Sequence, residues 1–422
     1  MADDSFLKQL GRSLGPGFIT GAADDDPSGI ATYSQTGVMF GFTQLWTALF
    51  SYPFMTVMQE MCGRIGLVTG MGLSGIIRKH YSKPLLYGAV LLLLVANVVN
   101  IGADLGAMAA AVMLLMPLPF FAVLLFVTVL TLALEVWVPY PTYARVLKYL
   151  TFSLLAYIIA AFIVKIDWSS VFYSTLVPHI SFTKDYILNI AAILGTTISP
   201  YLFFWQADEE VEEEIEQGKI RGMGKGVPKI KSTDVRQMRI DTVLGMFFSQ
   251  IVMFFIIVTV AATLGAEGVK TIATASDAAK ALQPVAGNFA FVLFTVGIIG
   301  TGLLAVPVLA GSAGYALAEA LGWKVGLGER YSKARGFYGI IALATGIGLL
   351  VNLTSIPPMQ MLYYSAMING VLAPPLMILI LFIANNKKIL GKRTNSWVSN
   401  ALGIIITVLM SAVSLGLLYS LF

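Results

Sequence analysis

Gly15-Pro16-Gly17-Phe18-Ile19-Thr20-Gly21-Ala22-Ala23-Asp24-Asp25-Asp26-Pro27-Ser28-Gly29-Ile30 sets three adjacent aspartates inside an apolar run that continues to Phe40. An aspartate at the centre of a lipid-exposed helix costs roughly 2.5–3.5 kcal/mol, so three together cost on the order of 10 kcal/mol unless protein or water surrounds them. Asp26-Pro27 is also a helix-restart signal. Aspartate is a favoured N-cap, and proline suits the first helical position, where its missing N–H leaves no bond unmade. The glycines on either side disfavour an unbroken helix. The run therefore predicts two half-helices joined by unwound backbone, with Asp26 opening the second.

The rest of the chain makes this a membrane segment. Hydrophobic residues are 57% of the 422 positions and charged residues 12%, against about a quarter charged in a soluble domain. The apolar residues fall in blocks long enough to cross about 30 Å of hydrocarbon. Hydropathy gives eleven spans: Gly17–Phe40, Leu45–Arg64, Leu85–Leu115, Phe120–Val138, Leu147–Val164, Tyr186–Gln206, Thr242–Leu264, Phe289–Leu317, Phe337–Val351, Met359–Ile383 and Val398–Phe422. The third and eighth are longer than a bilayer needs and are expected to tilt or to project from it. With the N-terminus inside, 23 of the 27 Lys and Arg lie on the cytoplasmic side, and only Lys165, Lys184, Lys270 and Lys280 lie outside. Cytoplasmic loops carry such a basic excess, and one span more or fewer near the middle would destroy it. The expectation is a multi-pass protein of the cell (plasma or inner) membrane, N-terminus cytoplasmic and C-terminus extracytoplasmic. Met1 to Gly15 is polar and does not read as a signal peptide. One cysteine, Cys62, excludes an intrachain disulfide.

Span six repeats the device of span one. Gly195-Thr196-Thr197-Ile198-Ser199-Pro200-Tyr201 again places a capping residue before a proline in mid-span. Two interrupted helices at matching positions of two five-helix halves point to an inverted-repeat transporter, where unwound backbone survives because it lines a cavity and free carbonyls bind a cation. The predicted fold is all-α and integral to the membrane: an inverted 5+5 repeat of the LeuT/APC type with helices one and six broken and a peripheral eleventh helix. It forms one transporter domain, with repeats at about 15–165 and 186–384 and the extra helix at about 397–422.

A purely structural role competes at several positions. Asp26 and Ser199 could serve as caps alone, although a neutral cap would do that work in a membrane with far less desolvation. Asp24 and Asp25 could sit in a solvated vestibule, and Asp104 could be a hydrogen-bonding carboxylate of span three. Glu60 and Glu135 read as interfacial. The acidic run from Asp208 to Glu216 reads as a solvated extension of span six, and the Gly-rich basic stretch Gly218–Lys231 as a flexible connector near anionic lipid. A regulatory cation-sensing patch is the sharper reading of that run, carried by charge count alone. There is no phosphate-binding Gly-Lys-Ser loop, no HExxH and no CxxC, and His80 and His179 fall in loops. An ATP-driven pump and an intramembrane metal-dependent enzyme are thereby disfavoured. A sodium-coupled amino-acid carrier of the same fold would need its first helix to receive a carboxylate, which three aspartates would repel. Neither a nucleic-acid partner nor an obligatory protein partner is implied.

The run from Gly15 to Gly75, with Gly41-Phe42, Leu45-Trp46 and Gly66-Leu67-Val68-Thr69-Gly70, resembles the first two helices of Nramp divalent-metal transporters, whose eleven-helix plan suits the whole chain. That family's metal site uses Asp-Pro-Gly-Asn on helix one and Met-Pro-His on helix six. Here the motifs read Asp26-Pro27-Ser28-Gly29 and Ser199-Pro200-Tyr201, so the aspartate is kept while Gly29, Ser199 and Tyr201 replace asparagine, methionine and histidine. These departures resemble the Nramp-related magnesium transporter branch. Thioether sulfur favours softer metals, whereas the Ser199 hydroxyl is a hard oxygen. Mg2+ prefers one or two carboxylates and retained water, which a wider site would admit. By resemblance, the Thr196 carbonyl joins Asp26 at the ion. Asp24 and Asp25 are candidates to hold its hydration waters, a reading of the residues themselves. Relatives that couple to protons often carry Asp and Glu on helix three; Asp104 remains here, and the Glu position is Ala107. The expectation is uptake of Mg2+, with Mn2+, down its electrochemical gradient by alternating access without proton coupling. The ion is cargo, and no bound cofactor is expected. A proton-coupled Mn2+/Fe2+ symporter is the alternative.

Overall fold

The computed structural model describes residues 15–138 and 154–420. The start of predicted span five at Leu147, and the basic residues Lys8, Arg12, Arg145 and Lys148 used for orientation, lie outside them.

Every predicted span meets a helix. Span one is Pro16–Asp24 and Pro27–Phe40, and span two is Trp46–Thr69. Spans three and four are Lys83–Met113 and Phe120–Trp137, and the described part of span five is Leu155–Ile163. Span six is Lys184–Thr197 and Pro200–Glu216; span seven is Ser232–Val260, ending in a π turn at Ala261–Gly265. Spans eight to eleven are Ala290–Leu321, Arg335–Val351, Pro358–Ala384 and Trp397–Ser420. Among the described residues, seven helices are long and apolar enough to cross a membrane, span six being taken as continuous. Span one falls short of that test because its aspartates and its break interrupt it. Span nine falls short on length. Span three has 31 residues and span eight 32, roughly 45 Å of helix at 1.5 Å per residue, so both exceed the hydrocarbon thickness as expected.

Spans three, four, eight and nine pack on one another, and spans one, two, six and seven form a second group. Span ten bridges them, touching spans one, three, six and eleven. Association in lipid depends on close backbone approach rather than on hydrophobicity, and glycines supply it. A Cβ on Gly21 would lie 2.2 Å from the Gly245 carbonyl oxygen, and one on Gly195 would lie 2.0 Å from that of Ala366. The outer faces carry Leu91, Phe121, Phe126 and Ile404, all more than half exposed. In a bilayer these meet acyl chains.

Two helix starts are capped from a distance. The first half of span one receives Asp241 of span seven, whose carboxylate accepts from the amides of Gly15 (2.9 Å) and Gly17 (2.7 Å). His80, expected in a loop, instead closes the amphipathic helix Leu73–His80, which receives Glu319 of span eight through the amides of Gly72 (3.0 Å) and Gly75 (2.8 Å). A carboxylate at a helix N-terminus satisfies orphan donors and faces the positive end of the dipole.

Three polar expectations change. Asp208, Glu210 and Glu214 are buried, because the second half of span six runs on as helix between spans two and eight and encloses its acidic faces. The basic stretch docks rather than hanging free: the Gly224 amide donates to the Gly70 carbonyl (2.7 Å), and Pro228 packs against Gly70. Glu135 is also buried, and neither of its carboxylate oxygens has a hydrogen-bond partner among the described residues. Glu60 does lie at an edge, paired with Arg64 (3.0 Å) and Arg239 (2.7 Å).

Candidate functional site

Both breaks take the form the sequence predicts. Span one leaves helical geometry at Asp25 (φ −82°, ψ 51°) and resumes at Pro27, with Asp26 at the N-cap accepting from the Gly29 amide. Span six leaves it at Ile198 (φ −122°, ψ 57°) and resumes at Pro200, with Ser199 at the N-cap. The Ser199 hydroxyl, however, turns backward. It donates into the first half, 2.7 Å from the Thr196 carbonyl and 2.8 Å from that of Gly195. Ser199 therefore does not cap the second half with its side chain, and it engages the carbonyl assigned to the ion.

Asp26 is 1% exposed. One oxygen accepts from the Ser28 hydroxyl (2.6 Å) and the Gly29 amide (2.8 Å), and the other from the Asn100 amide (2.8 Å). The same Asn100 nitrogen is 3.4 Å from Asp104, and the Asn100 oxygen is 3.5 Å from the Asn369 amide of span ten. Ser28 lies 3.2 Å from the Thr196 hydroxyl, which joins the two breaks. Asp104 and Asn369 each keep one buried oxygen without a partner among the described residues. The cluster thus gathers two carboxylates, two amides and two hydroxyls from spans one, three, six and ten. Such a set is all hard oxygen and amide, able to hold a divalent cation while the surrounding low dielectric strengthens the attraction.

Asp24 and Asp25 turn elsewhere. Both lie within hydrogen-bonding distance of the Ser249 hydroxyl on span seven, which donates to Asp24 and reaches Asp25 at 3.4 Å. They are 0% and 1% exposed, so the solvated vestibule is not what surrounds them; each keeps one oxygen unpartnered among the described residues. Gly29 is not beside open space either. A Cβ there would lie 3.3 Å from Tyr33 and 3.4 Å from the Thr196 hydroxyl, so Tyr33 takes up the room that the missing asparagine leaves. The wider site expected from the sequence is closed in this conformation. Tyr201, at the histidine position, donates to the Ala23 carbonyl (3.0 Å) and ties the second half of span six to the end of the first half of span one.

Asn100 and Asn369 are the residues that sequence reasoning missed. Each is an amide inside an apolar span, where polar groups are rare and face the protein interior; that was the available signal.

The family described as Nramp, natural resistance-associated macrophage protein-like, matches residues 17–420. The chain is similar to the divalent metal cation transporter MntH of Caldanaerobacter subterraneus, 24% identical over 421 residues that cover 98% of this chain and 94% of that protein. It is similar to MntH of Deinococcus radiodurans at 27% identity, covering 71% and 67%. In structure it resembles the Eremococcus coleocola manganese transporter, with a TM-score of 0.74 at 16% identity over 97% of this chain and 87% of that one. It also resembles inward-facing Mhp1, with a TM-score of 0.52 at 13% identity over 96% and 88%. The structural likenesses establish the fold as that of the Nramp and LeuT-fold transporters. With the family match spanning nearly every described residue, the chain belongs to the Nramp family of membrane transporters and is not an enzyme.

Proposed function

We propose that this protein carries a divalent metal cation across the cell membrane by alternating access, and that Asp26 is the anionic ligand of the carried ion. One observation carries the assignment: a fully buried carboxylate, at the break of a membrane helix, is held by three donors in a cluster assembled from four spans. Such placement is unfavourable for a group with no charge to meet. Thr196 and Ser28 lie at the same junction, and Asn100 orients the carboxylate. Ser199 and Gly29 act there indirectly, one by fixing the Thr196 carbonyl and the other by admitting Tyr33. Asp24 and Asp25 form a separate acidic group toward span seven. The two five-helix repeats and the cytoplasmic N-terminus belong to the same reading.

The donor set supports Mg2+ together with Mn2+ as cargo, because the hydrogen-bonded cluster contains neither thioether nor imidazole. A divalent ion gains about 4.6 kcal/mol on entering down a negative-inside potential of about 100 mV, twice the roughly 2.3 kcal/mol per charge, so uptake needs no proton. A second reading has its own support. The relatives named above are MntH and manganese transporters, and Asp104, linked to Asp26 through Asn100, is a carboxylate able to take a proton when the ion leaves. One experiment separates them. Proteoliposomes holding a pH dye receive Mg2+ or Mn2+ outside under a negative-inside potential. Uptake of both ions without acidification supports the uniporter. Mn2+ uptake without Mg2+ uptake, accompanied by acidification that Asp104→Asn removes, establishes the symporter.

A further inference from the structure

A second acidic group lies where the second half of span six passes the start of the amphipathic helix Leu73–His80. Asp208 is 0% exposed, and neither of its carboxylate oxygens has a partner among the described residues. Glu319 stands beside it, each oxygen taking one backbone amide. A Cβ built on Gly72 would fall 1.8 Å from Asp208 Oδ1 and 2.6 Å from Glu319 Oε2. Those two distances bring the carboxylates within reach of a single divalent ion, whose oxygen ligands sit at about 2.0–2.6 Å. No Lys or Arg of the described residues forms an ion pair with either group. Arg78, the nearest cation to Glu319, donates to its backbone carbonyl (3.2 Å). Glu319 and Gly75 line a cavity of about 1320 Å3 that also receives Glu209, Glu212 and Glu213.

We infer that Asp208 and Glu319 form a second divalent-cation site, filled from this cavity and separate from Asp26. Two carboxylates, one of which already accepts two backbone amides, are a poor trap for a dehydrated ion. No group of three or more acidic, His or Cys ligands gathers among the described residues, so the ion keeps several waters. That is the coordination Mg2+ prefers and Mn2+ tolerates. The amides of Gly72 and Gly75 compensate Glu319, but nothing compensates the buried Asp208 carboxylate among the described residues, and a cation restores the balance there. Because Glu319 also caps Leu73–His80, the ion ties spans six and eight to the amphipathic helix. The site thus reports the metal level on the cavity side to two spans from the two packed groups.

The test uses the purified full-length chain and Mn2+ alone, read by electron paramagnetic resonance, with Mg2+ as competitor. The background is Asp26→Ala, so the central site is silent. The Asp26→Ala protein binds one Mn2+ per chain, Mg2+ displaces it, and adding Asp208→Asn weakens it at least about tenfold. Asn at 208 matches Asp in shape and removes no hydrogen bond now made, so monodispersity and Tm without metal stay unchanged. If that variant does not purify, Glu319→Gln, which keeps one carbonyl oxygen for the capping amides, must show the same loss. Equal Mn2+ binding with and without Asp208→Asn overturns the site, as does no binding in Asp26→Ala. Loss of transport in Asp26→Ala bears only on the central site, so the two readings fail independently.

Discussion

Spans one and six break by one device, two non-helical residues ahead of a proline, yet the first break holds three carboxylates and the second none. At the first break Asp26 reaches span three, while Asp24 and Asp25 reach span seven. At the second, Ser199 folds back onto its own half-helix and Tyr201 reaches across to the Ala23 carbonyl. The charge sits in one break and the tether in the other. Similar breaks thus do not mean identical work: one carries the carboxylate proposed to attract the ion, and the other engages carbonyls and ties the two broken spans together.

The largest effect should come from removing the charge. Asp26→Ala is expected to bring metal flux in proteoliposomes to the level of empty vesicles while the protein stays monodisperse. Retained flux would place the ion elsewhere and end the comparison. Next comes Asn100→Ala, which leaves Asp26 without its partner on span three; such outer contacts change metal affinity about 10- to 100-fold. Binding measured by Mn2+ titration checks it, and an unchanged affinity would mean that Asn100 only fills space. At the second break the effect should be on stability. Ser199→Ala removes the buried hydroxyl shared by the Gly195 and Thr196 carbonyls, a loss of about 1 kcal/mol, visible as a lower Tm with metal affinity changed less than by Asn100→Ala. Were Ser199→Ala instead to match Asp26→Ala in flux, the second break would be a ligand site in its own right. The smallest effect is expected from Ser199→Met with Gly29→Asn. A soft sulfur should favour Mn2+ or Cd2+ over Mg2+, but the asparagine must displace Tyr33, which already lies within 3.3 Å of the added Cβ. A shift toward Mg2+ would contradict the hard-ligand argument.

The fold was readable because its signals are local. Block length and the two breaks ahead of a proline are each written in consecutive residues, and the helices and breaks of the described residues fall where those patterns put them. The place of Asp26 at the head of the second half-helix was readable for the same reason. The remainder depends on partners far along the chain. Asn100 meets Asp26 across 74 positions and Asn369 across 269, and Asp241 caps Gly15 across 226. No window of sequence holds both members of such a pair. The aspartate triplet misled because its members are adjacent in the chain while the break aims them at different spans. The acidic run after span six misled because charge suggested water, whereas the neighbouring helices enclose it.

The seam between the first half of span one and span seven bears on speed. Backbone meets backbone where Gly17 and Gly21 face Gly245, so no side chain separates the two helices at those glycines. Polar contacts hold it at both ends, where Asp241 accepts from the amides of Gly15 and Gly17 and where Ser249 donates to Asp24. A joint built this way has a close track and two catches. Both catches must let go before the helices slide, and a lone methyl on Gly21, 2.2 Å from the Gly245 carbonyl oxygen, would wedge the track apart.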